Sequence, residues 1–329
     1  MFRYIIRRLI GVLILMVVIS FITFLLFFAI PSNPAALSCG KGCTPTVIKA
    51  TEHKMGIDEP ILVQYGKYMK GLVTGRTFGE GTAVNKCPAP CLGFSFKTDQ
   101  PVLGMITDAF PITLSISIGA FVLWIFFGIS TGVISALKKG TIIDRVTMFV
   151  TLATVSLPSF FTGLMLLYFI VIKYGLMTFP SYVGFLDNPY DWAKNLLLPW
   201  ITLAFLFAAL YTRLTRANML ETMGEDYIRT ARAKGLSERK VIFKHGLRAA
   251  LTPIVTIAGL DLGGLLGGAV ITESVFNFNG LGRLVVRSST DLDLPVLVGV
   301  TVLAAFFIVM LNFLVDLLYA AIDPRVRLV

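Results

Sequence analysis

Six long apolar runs constrain this chain more than any other feature of its sequence. A helix needs about 20 apolar residues to cross the roughly 30 Å of hydrocarbon in a bilayer. Only 15% of the residues are charged, against about 25% in soluble domains. The sequence therefore predicts an all-α integral membrane protein with six transmembrane helices. The predicted spans are about 9–30, 112–137, 146–172, 196–214, 249–275 and 294–321.

The placement of the positive charges predicts the orientation of the chain. The net charge is +10, and 17 of the 29 Lys and Arg residues lie in the termini and loops that would share one side of the membrane. Short loops rich in Lys and Arg face the cytoplasm. We therefore expect a multi-pass protein of the cell (inner or plasma) membrane with both termini in the cytoplasm. A basic surface beside lipid explains the charge better than a nucleic-acid site does.

A long segment at 31–111 follows the first span and is expected outside the cell. The predicted organisation is an N-terminal transmembrane helix at 1–30, this external segment, and a five-helix core at 112–329. Within the external segment, Gly56 begins a turn into an amphipathic helix. The residues expected to share one face of that helix are Leu62, Tyr65, Tyr68, Met69 and Leu72.

All four cysteines lie in the external segment, as Cys39, Cys43, Cys87 and Cys91. An even number of cysteines outside the cytoplasm favours disulfides. Four cysteines allow three pairings, and the sequence does not select among them. A four-thiolate zinc site is compatible with the spacing and stays open as the alternative.

A basic segment between the fourth and fifth spans predicts two short helices. Residues 226–234 form the first, because acidic residues at its start suit the helix dipole and Gly235 is a typical helix-ending residue. Ser237 is expected to cap the second, with Glu238 in its first turn. A helix this short is marginal alone in water and has to dock on something.

Small and cationic residues of the first short helix indicate a contact surface. Ala231 and Gly235 are one turn apart, and such a pair lets a helix approach another surface closely. Arg229, Arg232 and Lys234 would supply cationic contacts around it. The alternative is a solvated loop whose charges only fix the topology.

Several motifs in a fixed order resemble a known family. The run Asp226-Tyr-Ile-Arg-Thr-Ala-Arg-Ala-Lys-Gly-Leu-Ser237, continuing to His245-Gly-Leu-Arg248, resembles the EAA loop of binding-protein-dependent ABC importer permeases. More narrowly, it is similar to the B-type permease subunit of dipeptide and oligopeptide importers. Shorter motifs extend the resemblance over essentially the whole chain, among them Ile30-Pro-Ser-Asn-Pro34, Thr272-Glu-Ser-Val-Phe276 and Asp323-Pro-Arg325. The generic motif departs at Arg229 and Thr230, where it has Glu and Ala.

The resemblance implies a type I ABC importer permease fold and a transport subunit rather than an enzyme. It implies as partners a second (C-type) permease, two ATP-binding subunits, an external substrate-binding protein and membrane lipid. ATP and Mg would be held by the ATP-binding subunits, with no cofactor in this chain, which contains no G-x-x-x-x-G-K-[ST] loop. The cytoplasmic loop 213–248 would couple to the ATPase. Its implied coupling residues are Asp226, Tyr227, Arg229, Thr230, Ala231, Arg232, Ala233, Lys234 and Gly235.

Asp261 is an acidic residue among the glycines of the fifth span. Ionisable groups within spans usually face a bundle interior or a watery path. Asp261 is therefore either a packed helix contact or a pore-lining carboxylate that meets the amino terminus of a peptide. Two other functions also stay open: an ABC permease for another small solute, such as nickel or an oligosaccharide, and an ATP-independent channel.

Overall fold

The computed structural model of the protein describes residues 2–30, 35–36, 44–79 and 84–322. This part of the chain is mainly helical, with two small two-stranded antiparallel sheets. The helices are α1 Phe2–Phe28, α2 Pro45–Met55, α3 Ile61–Thr74, α4 Val102–Leu137, α5 Ile142–Ser156, α6 Ser159–Leu166, α7 Pro189–Gly224, α8 Asp226–Ala233, α9 Glu238–Lys240, α10 Arg248–Leu266, α11 Val270–Val275, α12 Leu281–Thr290 and α13 Leu294–Ile322. The strands are β1 Arg76–Phe78, β2 Asn85–Cys87, β3 Phe94–Ser95 and β4 Gln100–Pro101.

Five of the six predicted spans are helices long and apolar enough to cross a membrane. They are Ile5–Phe28, Val102–Leu137, Pro189–Gly224, Glu238–Leu266 and Leu294–Leu317. The fourth predicted span, 196–214, is much longer than expected, because α7 continues into polar sequence at both ends. Its start is fixed by Asn188, whose side chain accepts hydrogen bonds from the backbone N–H groups of Tyr190 and Asp191.

The third predicted span is not one straight helix, and this corrects the sequence prediction. Helix α5 ends at Ser156, and the next helical segment, Ser159–Lys173, is bent by 98° relative to it. Proline disfavours the helical conformation of the residue before it, and Leu157 before Pro158 is extended, with φ −90° and ψ 126°. Beyond α6 the helix widens into the π-helical segment Leu167–Lys173. Together, Ile142–Ser156 and Ser159–Lys173 form a sixth span only if the two bent segments are counted as one broken span.

The fifth predicted span also ends earlier than expected. Residues 249–275 were predicted as one run, but helix α10 stops at Leu266 and α11 is a separate short helix. Gly268 has φ +132°, a conformation that favours glycine. A Cβ atom at Gly268 would lie 2.5 Å from the backbone nitrogen of Gly282. The chain therefore breaks where two glycines bring the backbones together. Asp261 does not interrupt α10.

The chain forms two compact units. The first contains Met1–Thr113, Leu266–Val270 and Asn279–Phe313, and the second contains Leu114–Leu265, Ile271–Phe278 and Leu314–Val329. Helices α4 and α13 each contribute to both units. The first unit thus includes the external segment and its neighbouring helix ends, while the second includes the segment between α7 and α10.

In the first unit, α3 packs against α1. The rings of Phe24 and Tyr68 lie 5.6 Å apart, and the Oη atom of Tyr65 donates to the carbonyl oxygen of Val17 at 3.1 Å. Tyr65, Met69 and Leu72 pack on the same cluster. The predicted apolar face of α3 is therefore correct except at Leu62, which is 68% exposed.

The small sheets of the external segment were not foreseen from the sequence. Strands β1 and β2 pair with Arg76 opposite Cys87, and Cys87 forms a disulfide with Cys91. This is one of the pairings that the sequence left open, and it uses two of the four thiols that a zinc site would need. The predicted disulfide cysteines Cys39 and Cys43 lie outside the described residues.

The short strand β3 is joined to the start of α13. The Ser95 hydroxyl donates to Asp293 Oδ2 at 2.5 Å, and both side chains are buried. Burial raises the pKa of Asp293 above its ordinary value. Asp293 also accepts from the backbone of Val296 in the first turn of α13, where a carboxylate suits the helix dipole. Strand β3 is thereby fixed to the beginning of α13.

Candidate functional site

The segment between α7 and α10, residues 225–247, consists of short helices that pack against neighbouring parts of the same chain, and we call it the excursion. Helix α7 ends at Gly224, Glu225 is extended with φ −68° and ψ 148°, and α8 begins at Asp226. The chain then turns at Gly235 and returns through α9 and the π-helical segment Val241–Leu247 into α10. The two predicted short helices therefore exist, and the second continues into the fifth span.

Helix α8 is anchored by a small apolar cluster. Ile228 and Val241 are fully buried, Ala231 is 7% exposed, and Met223 packs against all three. Ala231 had been expected on the surface that meets another molecule, but the structure places its methyl group against its own chain. A small residue at this position lets α8 lie close to the returning segment.

The other predicted coupling residues form the exposed face of the excursion. All of them are exposed to solvent in the isolated chain: Asp226, Tyr227, Arg229, Thr230, Arg232, Ala233, Lys234 and Gly235. Partial burial raises the pKa of Tyr227, and the charge of Glu225 raises it further. Tyr227 therefore remains a neutral phenol that both donates and accepts hydrogen bonds.

Gly235 has the geometry that ends α8. Its φ is +76°, and its backbone nitrogen donates to the carbonyl of Arg232 at 2.9 Å. No atom of the described chain lies within 4 Å of the position that a Cβ atom would take. The glycine is therefore required by the backbone and not by crowding within the chain. Ser237 lies at the start of α9 as predicted, but its side chain makes no capping hydrogen bond.

Ion pairs hold the charged side chains of the excursion. Arg229 lies 3.3 Å from Asp226, and Arg232 Nε lies 2.7 Å from Glu238 Oε1. The second pair bridges α8 and α9 across the turn at Gly235. Both pairs are exposed, so each contributes at most about 1 kcal/mol to stability. Their charges remain accessible to a partner surface.

A buried polar cluster supports the base of the excursion in the second unit. Asp144 at the start of α5 accepts two hydrogen bonds from Arg216 of α7, at 2.7 and 2.9 Å. It also accepts from the Ser135 hydroxyl at 2.6 Å and from the backbone of Gly140 at 2.9 Å. Such bidentate pairs fix both distance and direction. Sequence reasoning missed this cluster, although an Asp and an Arg near the ends of apolar runs are the signal that could have revealed it.

Close packing continues the support around α7. Helix α4 presents Gly128 and Gly132 to α7, where a Cβ atom at either position would lie 2.6 Å from a Cβ atom of Tyr211 or Thr215. Met219 of α7 is fully buried between Ala136 of α4 and Ala250 of α10. Motion of the excursion would therefore be transmitted to three long helices as a rigid body.

Asp261 forms a helix contact in the same unit. The hydroxyl of Tyr211 donates to Asp261 Oδ2 at 2.7 Å, joining α7 to α10. Tyr211 is itself 1% exposed and lies beside the buried ring of Trp124. This hydrogen bond supports the interpretation of Asp261 as a packed helix contact, with Tyr211 as its partner. Its role as a pore-lining residue stays a prediction.

Comparisons with known proteins find similarity to membrane components of transport systems. Residues 128–328 match the family model described as binding-protein-dependent transport system inner membrane component, and residues 1–117 match the model of its N-terminal region. The dipeptide transport system permease protein of Alkalihalophilus pseudofirmus is 35% identical, over 99% of this chain and 100% of that protein. The glutathione transport system permease protein of Escherichia coli O6:H1 is 36% identical, over 99% of each chain. An amino acid ABC transporter solved with histidines aligns with 67% of this chain and 94% of its own, at 17% identity and a TM-score of 0.49.

Proposed function

Because the chain belongs to the family of binding-protein-dependent transport system inner membrane components, and so is a permease subunit of an ABC importer, we propose that it carries dipeptides or oligopeptides. The names of its relatives support this choice of cargo, since they are permeases of dipeptide and glutathione transport systems. In this proposal a second, C-type permease completes the pathway, and an external binding protein delivers the peptide to it.

The observation that carries the mechanism is the exposed excursion α8 on a rigid base. The two partner ATP-binding subunits would hold ATP and Mg, and their closure would push on the face that includes Tyr227, Arg229 and Lys234. The buried pair between Asp144 and Arg216 and the packing of Met219 would carry that push into the long helices. The pathway would then switch from inward-facing to outward-facing by a rigid-body movement.

Co-purification from native membranes tests the partners. We expect the tagged chain to bring down a second permease and two ATP-binding subunits, because α8 exposes a charged face that the described part of the chain does not cover. Mass spectrometry of the purified complex identifies the subunits. A chain that purifies without any ATP-binding subunit, under conditions that keep other membrane complexes intact, would favour the channel instead.

The proposed orientation is tested by amine labelling with a membrane-impermeant reagent. Lys49, Lys70, Lys234 and Lys240 are all exposed, and the distribution of Lys and Arg predicts that the last two lie in the cytoplasm with both termini. Of these four lysines, we expect only Lys49 and Lys70 to be modified in intact cells. Modification of Lys234 and Lys240 should require permeabilised cells, as read by peptide mass mapping. Equal labelling of all four in intact cells contradicts this orientation.

A further inference from the structure

The external segment contains an open basin that the transport mechanism does not use. It has a volume of about 510 Å³ and is bounded by the end of α2, the turn after it, one side of α3 and strand β1. Small-molecule sites typically measure roughly 300–1,000 Å³. The titratable groups that line it are His53, Asp58, Glu59, Lys67, Lys70 and Arg76.

Two of these cations, Lys70 and Arg76, form no ion pair among the described residues, although the nearby charge of Glu59 partly offsets the effect of burial on the pKa of Arg76. His53 Nδ1 lies 3.0 Å from Asp58, and Lys67 Nζ lies 2.5 Å from Glu59. The hydrogen bond from His53 lowers the pKa of Asp58, so this carboxyl is ionised at neutral pH. The cations of the basin outnumber its two carboxylates, and Lys70 and Arg76 are the two without an ion pair, so they favour an anionic group.

Arg76 is held in one position in the basin wall. Its Nη2 atom donates to the carbonyl oxygen of Met55 at 3.2 Å, and its guanidinium lies 4.4 Å from the centre of the Phe78 ring. Gly56 leaves space for this guanidinium, because a Cβ atom at residue 56 would lie 3.1 Å from Arg76 Nη2. Partial burial lowers the pKa of Arg76, so a bound anion would offset the cost of desolvation. The arginine side chain has five N–H donors. The bond to Met55 is the one hydrogen bond that the guanidinium of Arg76 makes within the described residues.

We propose that this basin binds the C-terminal carboxylate of a short peptide, with Arg76 as the principal partner and Lys70 beside it. Arginine matches a carboxylate in a bidentate geometry, which a single lysine does not. Asp58 and Glu59 reduce the net positive charge of the basin, which favours a monoanionic carboxylate over a dianion such as phosphate. A peptide therefore fits the charge pattern better than a free phosphate does. The choice of a peptide rests on the proposed function.

The test compares two probes that differ only at the carboxyl group. Binding of alanyl-alanine and of alanyl-alanine amide is measured by calorimetry on the full transporter complex in lipid nanodiscs, without the external binding protein or ATP. We expect alanyl-alanine to bind about tenfold or more tightly than its amide, which is the change expected when a charged hydrogen bond is lost. Inorganic phosphate should not compete. Equal affinity for the two peptides, or competition by phosphate at similar concentration, overturns the proposal.

Variants locate the binding to this basin. Arg76→Gln should remove the preference for the carboxylate. Lys70→Glu should weaken alanyl-alanine binding by several-fold, and this exposed residue can change charge without affecting the fold. Lys49→Glu is the matched control, since Lys49 is an exposed lysine of α2 that does not line the basin. Unchanged binding in both Lys70→Glu and Arg76→Gln rejects the site.

ATP-driven peptide uptake with the binding protein present separates this inference from the proposed function. A complex that imports peptide but binds both probes equally refutes the basin site alone. A complex that prefers the carboxylate probe through Arg76 but imports no peptide refutes the proposed cargo alone.

Discussion

Replacing Gly235 by tryptophan is expected to lower ATP-driven peptide uptake by about tenfold or more, the effect of losing roughly 1.4 kcal/mol of coupling free energy. No atom of the described chain lies within 4 Å of a Cβ at this position. A side chain at this position strains the backbone, whose φ is +76°, but it meets no crowding near its Cβ within the described chain, so its bulk projects toward whatever meets α8. We expect ATP-binding subunits to bind poorly, or to hydrolyse ATP without moving peptide. Uptake and ATPase rate in proteoliposomes with the binding protein measure both outcomes.

Two control variants separate contact from backbone strain. Gly175 also has a positive φ, +59°, and no neighbour within 4 Å of a Cβ, but it lies in the loop before α7 on the opposite predicted side of the membrane. Gly175→Trp should leave coupling intact. Gly235→Ala adds the backbone strain of about 1–2 kcal/mol without the bulk. If Gly235→Trp supports uptake and peptide-stimulated ATP hydrolysis at the parent's rates, the excursion is not the coupling element.

Replacing Arg216 by leucine is expected to destabilise the protein, because it breaks the bidentate pair with Asp144 and removes only one of the two partners. The change leaves the Asp144 carboxylate buried beside Ser135 and Gly140 without its cation. The variant should show a clearly lower unfolding temperature in detergent and should assemble poorly with partner subunits. Thermal unfolding followed by the fluorescence of the three tryptophans measures the change.

The neighbouring arginine provides the matched control. Arg213 lies one turn earlier on α7 and is exposed, so Arg213→Leu should unfold close to the parent temperature. Replacing both Asp144 and Arg216 by leucine should recover part of the loss, because an apolar pair avoids an uncompensated buried charge. An Arg216→Leu variant as stable as Arg213→Leu would show that the buried pair does not support the base of the excursion.

The features that were predictable from the sequence are those set by local chemistry. Runs of apolar residues located the long helices, and the ordered motifs identified the permease family, which the comparisons confirm. The acidic start at Asp226 and the glycine at 235 placed α8 within a residue of its observed bounds. These signals depend on hydropathy, the helix dipole and one backbone conformation, each of which acts over a few neighbouring residues.

The features that were missed depend on contacts between distant residues. A small residue at position 231 suits a contact with another molecule and packing within the chain equally well. Only the position of Val241 shows that the Ala231 methyl group faces its own chain. The pair between Asp144 and Arg216 joins helices more than 70 residues apart in sequence. The bend at Pro158 did have a local signal in the proline, but hydropathy alone treats residues 146–172 as one run. The break at Gly268 similarly follows from the approach of Gly282.

In the proposed function this chain carries peptide only when partner subunits hydrolyse ATP. The most direct measurement is uptake of a radiolabelled dipeptide into proteoliposomes that contain the purified complex, with the external binding protein outside and Mg-ATP inside. Uptake should require hydrolysable ATP and the binding protein, and should be lost with a non-hydrolysable ATP analogue. Peptide entry at the same rate without ATP would contradict the claim and support a channel. ATP-driven uptake of nickel or an oligosaccharide in place of peptide would contradict the proposed cargo.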